Sequence, residues 1–354
     1  MAQEIIYTLD TAGALERTIE NASPAGVFLL ADSNTETIAR RLIYSVSALT
    51  ADRLIVIPAG DDHKSLDSLA HVWTRLSELG ATRGSMLINI GGGVVTDLGG
   101  FAAATFKRGM RFVNVPTTLL AAVDAAVGGK TGINFAGLKN EIGCFHEADA
   151  VIISTEYFDS LPREELLSGY AEMLKHALLS GPEALSRALA FDFEDVDLKA
   201  LLPLLQESVE VKREVVTKDP TEKGLRKSLN LGHTGAHAFE ALSVSRDGRA
   251  IAHGHAVAWG LVLALVLSHM EAGLDSATLR SVATFVEANY PKPAISCNDY
   301  EALISFMRHD KKNLSASEIR FTLLQKPGLA DLDHTVDPAQ IKVALDLTRD
   351  LLKI

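Results

Sequence analysis

Short apolar, β-branched runs alternate with stretches of helical spacing through the first part of the chain. The runs predict strands at Glu4–Leu9, Gly26–Ala31, Arg53–Pro58, Ser85–Ile90, Phe112–Val115 and Ala150–Ile153. Helical spacing covers Thr35–Leu49 and Ser65–Leu79. Such alternation implies a mostly parallel sheet with helices on both faces, and ligands beyond the carboxyl ends of its strands. After Pro162 the period changes. Helices are expected at Glu164–Leu179, Ala200–Lys218, Gly232–Leu242, Ala256–Ala272, Ser276–Tyr290, Tyr300–Arg308 and Pro338–Leu352. One β pattern, Ile319–Leu324, suits a hairpin. The reading is therefore an α/β domain over residues 1–158 and a largely helical domain over 159–354.

Composition narrows the function. The 354 residues are 47% hydrophobic and 22% charged, enough to bury two cores. The formal charge is −11, which disfavours general nucleic-acid binding. Two isolated cysteines, Cys144 and Cys297, make neither a disulfide framework nor a zinc knuckle. The start, MAQEIIYTLD, lacks the features of a signal peptide, and the apolar run Ala256–Leu267 is too short to span a bilayer. A cytoplasmic chain with no membrane partner is expected.

Two features carry chemistry. Ile88–Asp97 is a strand end, three glycines and a helix start. Glycines let the backbone approach a diphosphate, and the helix start offers free N–H groups. The fingerprint G-x-G-x-x-G is incomplete, because Thr96 holds its last position. Asp32 with Asn34, and Gly60-Asp61 with Lys64, end neighbouring strands, where a nucleotide would lie; ordinary turn and cap chemistry is the better explanation of each taken alone. In the helical half, Glu172, Lys175 and His176 share a helix face, as do His233 and His237, and His253 and His255 precede an apolar helix. Two imidazoles and a carboxylate suit zinc with positions left for substrate. Spacing leaves open which histidines converge.

These motifs, taken together, resemble the 3-dehydroquinate synthase family of sugar phosphate cyclases. The resemblance runs over roughly residues 26 to 326, through Gly91–Phe101, Lys107–Leu120, Val123–Asn134, Lys139-Asn140, Ala171–Lys175, Leu229–His237 and His253–Gly260. It implies a Rossmann-like NAD-binding domain followed by an α-helical metal-binding domain. It also implies a homodimer and an active site in the interdomain cleft. The metal, zinc or cobalt, would be held by Glu172, His233 and His253. The substrate would be a seven-carbon phosphorylated sugar acid, closed to 3-dehydroquinate with loss of phosphate and no net redox change.

The resemblance also assigns roles. Arg108, Lys130, Asn140, His237 and Lys312 (of Asp310-Lys-Lys312) would gather round the phosphate. Lys212 and Arg226 would face the carboxylate, and Asp124, Lys175 and Asn230 the ring hydroxyls. NAD contacts fall to Asp32, Asn34, Asp61, Lys64, Gly92, Gly93, Asp97, Thr117, Thr118, Lys130 and Lys139. Three positions depart from the family: Thr96 where glycine is usual, Asp61 where Glu is frequent, and His255 where an acid normally follows His-Gly. The last makes His255 a rival to His253 as ligand. A sister cyclase acting on a sugar phosphate without a carboxylate is the nearest alternative, and a metal-dependent polyol dehydrogenase is another.

Overall fold

The computed structural model describes residues 3–248, 251–308 and 318–354. The chain divides into two compact units, Met1–Leu161 with Asp197–Val209, and Pro162–Val196 with Glu210–Ile354.

In the first unit the elements are β1 (Glu4–Tyr7), α1 (Thr11–Ala22), β2 (Val27–Asp32), α2 (Glu36–Ser45), β3 (Leu54–Ile57), α3 (Leu66–Glu78), β4 (Met86–Gly91), α4 (Gly93–Thr105) and β5 (Arg111–Pro116). A π-turn (Ala121–Ala125), the strands β6 (Lys130–Phe135) and β7 (Leu138–Phe145), and β8 (Ala150–Ile153) follow. Six strands form one sheet in the order β1-β8-β5-β4-β2-β3, paired in parallel throughout. Strand alternation divides the side chains between its faces. Val27, Leu29, Ala31, Ile88, Ile90, Val113 and Ile152 pack with Ala14, Leu15 and Ile19 of α1 and Ala39 and Leu42 of α2. On the other face α4 lies so close that a Cβ at Gly99 would sit 2.8 Å from the Leu30 side chain. Asn89 there donates from its amide nitrogen to Asn114 across β4 and β5 (2.9 Å), a hydrogen bond deep in the sheet.

Two elements of this unit were not among those expected from the sequence. Helix α1 opens with Thr11 and Gly13, but Asp10 caps it by accepting from Gly13 N (3.0 Å). The β6–β7 hairpin is glycine-rich and largely exposed. Its turn residues Ala136 and Gly137 have φ of 51° and 79°, the sense that tight hairpins require.

The second unit contains α5 (Arg163–Ser180), α6 (Pro182–Leu189), α7 (Leu198–Lys218), α8 (His233–Asp247), α9 (His253–Leu267), α10 (Ser276–Asn289), α11 (Tyr300–Arg308), the antiparallel pair β9 (Ile319–Lys326) and β10 (Leu329–Val336), and α12 (Pro338–Leu351). Helix α7 begins in the first unit, where Thr155 donates to Leu198 O (2.9 Å), and ends in the second. Helix α9 is the core helix, with Gly254 through Leu267 all buried. It starts three residues earlier than the apolar run, so His253 is its first residue.

Glycines bring the helices of this unit together. A Cβ at Gly254 would sit 1.9 Å from Ser168 O on α5, and one at Gly260 would sit 2.1 Å from Gly232 O. Gly232 itself has φ +80°, a left-handed conformation that opens α8. Contact this close admits no side chain without parting the backbones. Gly260→Ala is therefore expected to destabilise the protein by about 1–3 kcal/mol, which lowers the Tm by several degrees. Thermal unfolding measures this, and an unchanged Tm would show that α8 and α9 can separate freely.

Candidate metal and nucleotide sites

The helix contacts set up the cluster in the second unit. Glu172 projects from α5, His233 is the first residue of α8, and His253 is the first residue of α9. One ligand atom from each lies within 4.8 Å of the others. Nε2 of His233 is 3.5 Å, and Nε2 of His253 3.7 Å, from the same Glu172 oxygen. The two imidazole rings stand 5.5 Å apart, edge to face. Nδ1 of His233 lies 3.2 Å from Leu231 O, a contact that fixes the proton on Nδ1 and leaves Nε2 to accept a cation.

Glu172 is completely buried, and neither of its oxygens receives a hydrogen bond of good geometry. The buried Lys175 ammonium, one turn along α5, makes an ion pair with it. Burial alone would raise the Glu172 carboxyl; Lys175, His233 and His253 outweigh it and hold the group well below the usual carboxylate range. Burial likewise pulls His253 down, but Glu172 and Glu240 reverse this and push it up to about 10. A buried anion with unsatisfied oxygens, faced by two imidazole nitrogens, fits a divalent cation.

The remaining histidines and cations of this unit lie as follows. The exposed His237 has its ring 5.7 Å from that of His233. His176 is fully buried on α5 and outside the ligand group. His255 is 6% exposed, packed edge-on to Tyr290 at 5.9 Å, and also outside that group. Burial lowers its pKa. Lys212 and Arg226 are buried, with Arg226 donating to Pro220 O (2.9 Å). Asn230 donates to Glu222 (3.0 Å), a carboxylate that sequence reasoning passed over. Its φ of 60° marks a constrained turn but leaves no trace in the sequence. Glu240 was also passed over, although it lies seven residues after His233 and so on the same helix face. Lys312, with Asp310 and Lys311, lies outside the described residues.

In the first unit the three glycines join β4 to α4. Gly92 caps α4 without a side-chain hydrogen bond, and no acidic residue stands in the first turn. The positive end of the helix is thus left for an anion. A Cβ on Gly92 would come 3.2 Å from Thr118, so glycine keeps the surface bare. Thr96 turns its hydroxyl back to the carbonyls of Gly92 and Gly93 (both 3.3 Å), and the departure from glycine leaves the turn intact. Thr117 N donates to Gly91 O (3.0 Å), and Thr118 Oγ1 accepts from Ala121 N (3.2 Å).

Polar residues gather around this turn. Buried Lys64 donates to Asp97 and to Asn140. Asp61 accepts from Asn134 (3.2 Å) and lies 3.7 Å from Lys139. Asp32 accepts at one oxygen from Asn34 N (3.0 Å), Thr35 N (2.9 Å) and Thr35 Oγ1 (2.9 Å), which is turn chemistry. Asp124 is half-buried on the π-turn, and Lys130 and Arg108 are exposed. Lys107 and Arg108 carry φ of 50° and 66°, rare for residues with side chains.

Comparison with known proteins identifies the family. Residues 54–168 match the 3-dehydroquinate synthase N-terminal family model and residues 169–313 its C-terminal counterpart. A 3-dehydroquinate synthase of Parabacteroides distasonis is 44% identical over 348 residues, 98% of each chain. Among solved structures, a 2-deoxy-scyllo-inosose synthase complexed with carbaglucose-6-phosphate, NAD+ and Co2+ superposes with a TM-score of 0.84 at 22% identity, covering 98% of this chain and 96% of that one. A 2-epi-5-epi-valiolone synthase from Streptomyces hygroscopicus with NAD+ and Zn2+ bound gives 0.82 at 23% identity, covering 99% and 97%. The chain belongs to the 3-dehydroquinate synthase family.

Proposed function

We propose that this protein converts 3-deoxy-D-arabino-heptulosonate 7-phosphate to 3-dehydroquinate and phosphate, a step of the shikimate route to aromatic amino acids. The observation that carries the reading is the group Glu172, His233 and His253, in a chain 44% identical over 98% of its length to a 3-dehydroquinate synthase. The first unit would hold NAD, which would supply reversible hydride chemistry, and Glu172, His233 and His253 would hold a metal, which would supply Lewis acidity toward substrate hydroxyls, for a phosphate elimination and aldol closure with no net redox change.

The division of roles follows the two units, the first for NAD and the second for metal. Gly92, Gly93, Thr117 and Thr118 suit the diphosphate and its surroundings, and Asp32, Asn34, Asp61, Lys64, Asp97, Lys130 and Lys139 the rest of the dinucleotide. Lys64 is already oriented by Asp97 and Asn140. Glu172, His233 and His253 hold zinc or cobalt, both of which accept this donor set. Lys212 and Arg226 are buried cations in a chain of net charge −11. They favour a substrate with a carboxylate over the sugar phosphates of sister cyclases, Arg226 being able to bind it bidentately. Lys175, Asp124 and Asn230 are assigned to hydroxyls; Arg108, Lys130, Asn140, His237 and Lys312 to the phosphate. The same reading carries a homodimer in the cytoplasm.

Three outcomes are expected. Purified enzyme should release phosphate from the heptulosonate phosphate, and neither from glucose 6-phosphate nor from sedoheptulose 7-phosphate; the reverse preference would point to a sister cyclase. Glu172→Gln and His233→Ala should each lose bound metal and turnover together, read by metal analysis beside a phosphate assay. Full metal in an active variant would refute the ligand set. Finally, a ligating His253 must be neutral, whereas in the metal-free protein its pKa is about 10. Metal binding at neutral pH should therefore release a proton and tighten by up to about tenfold per pH unit until that pKa is reached. Calorimetry in buffers of different ionisation enthalpy measures the proton, and its absence would contradict the assignment.

A further inference from the structure

The second nitrogen of His253 has a partner that neither the motifs nor the family comparison assign. Nδ1 of His253 lies 3.4 Å from Oε1 of Glu240, on α8. Its other nitrogen, Nε2, faces Glu172. Glu240 stands two helical turns after His233, so one helix presents a ligand at its first residue and a carboxylate behind the neighbouring ligand. The close packing at Gly232 and Gly260 holds α8 and α9 at the separation this contact needs.

We infer that Glu240 is the positioning residue for His253: it accepts the Nδ1 proton, fixes the ring and leaves the Nε2 lone pair directed at the metal. Ligating histidines are commonly held in this way by a carboxylate or a backbone carbonyl. Here the two devices are divided, with Leu231 O serving His233 and Glu240 serving His253. The arrangement also accounts for the tolerance of His255. The acid usual at that position is absent, and the His255 ring is packed against Tyr290 instead. Glu240, reaching in from another helix, supplies an anion to His253 without it.

The inference rests on the metal reading above, and metal affinity tests the two separately. Zinc binding to the full-length protein is measured by competition with a chromophoric chelator, and the visible spectrum is recorded after cobalt substitution. If the wild-type protein binds no stoichiometric zinc, the metal reading itself fails. If it does, Glu240→Leu, which keeps bulk but removes the acceptor, should weaken zinc by about 10–100-fold and shift the cobalt bands. Glu240→Gln retains an acceptor oxygen and should restore affinity to within about tenfold of wild type. Wild-type affinity in Glu240→Leu would overturn the inference. So would equal losses in both variants accompanied by a lowered Tm of the metal-free protein, since that pattern marks a packing role.

Discussion

The helical unit is organised around one fully buried carboxylate, Glu172. An ionised group removed from water is tolerated only where opposite charge surrounds it. Lys175 supplies that charge from the same helix, and His233 and His253 face the carboxylate from two others. The sequence must therefore bring three helices close enough for their side chains to share one anion. It does so with glycines: Gly254 against α5, and Gly232 with Gly260 between α8 and α9. Fold and ligand set are thus one constraint, because the helix convergence that surrounds Glu172 also brings two imidazoles to within 4.8 Å of it and of each other.

The first unit solves a different problem by different means. A dinucleotide is long, and on the proposed reading its diphosphate would meet backbone at the start of α4, where no acidic residue stands in the first turn. The bare glycine turn and the uncapped helix end provide this surface, and the parallel sheet sets its position at the ends of β4 and β5. A net charge of −11 is compatible with an anionic cofactor and an anionic substrate where cations are concentrated locally, and several of the cations assigned to them are buried. Lys64, Lys175, Lys212 and Arg226 are each less than a tenth exposed.

Chains that share this fold differ in what they act on, since the two cyclases superpose almost over their full length at 22–23% identity. Fold alone does not choose among them. On the proposed reading the choice rests on individual cations: the buried Arg226 and Lys212 would match a carboxylate that the sugar phosphates of sister cyclases lack. Of the departures from the family, Thr96 is absorbed by a local hydrogen bond, and Asp61 still meets Asn134 and Lys139.

The sequence by itself determined the strand–helix alternation, the parallel sheet and the helical second half. These follow from the period of apolar residues, which is a local property. It also determined the family, because motifs such as Leu229–His237 are contiguous. It did not reveal α1, whose start depends on the Asp10 cap, nor the β6–β7 hairpin, which is mostly exposed. Spacing left His176, His237 and His255 beside the ligands. The family resemblance chose Glu172, His233 and His253, and the tertiary structure brings those three together, because convergence of α5, α8 and α9 is decided by glycine contacts between residues far apart in the chain. The same holds for Glu240: its distance in sequence from His253 says nothing, and the packing of α8 on α9 brings its carboxylate to the ring.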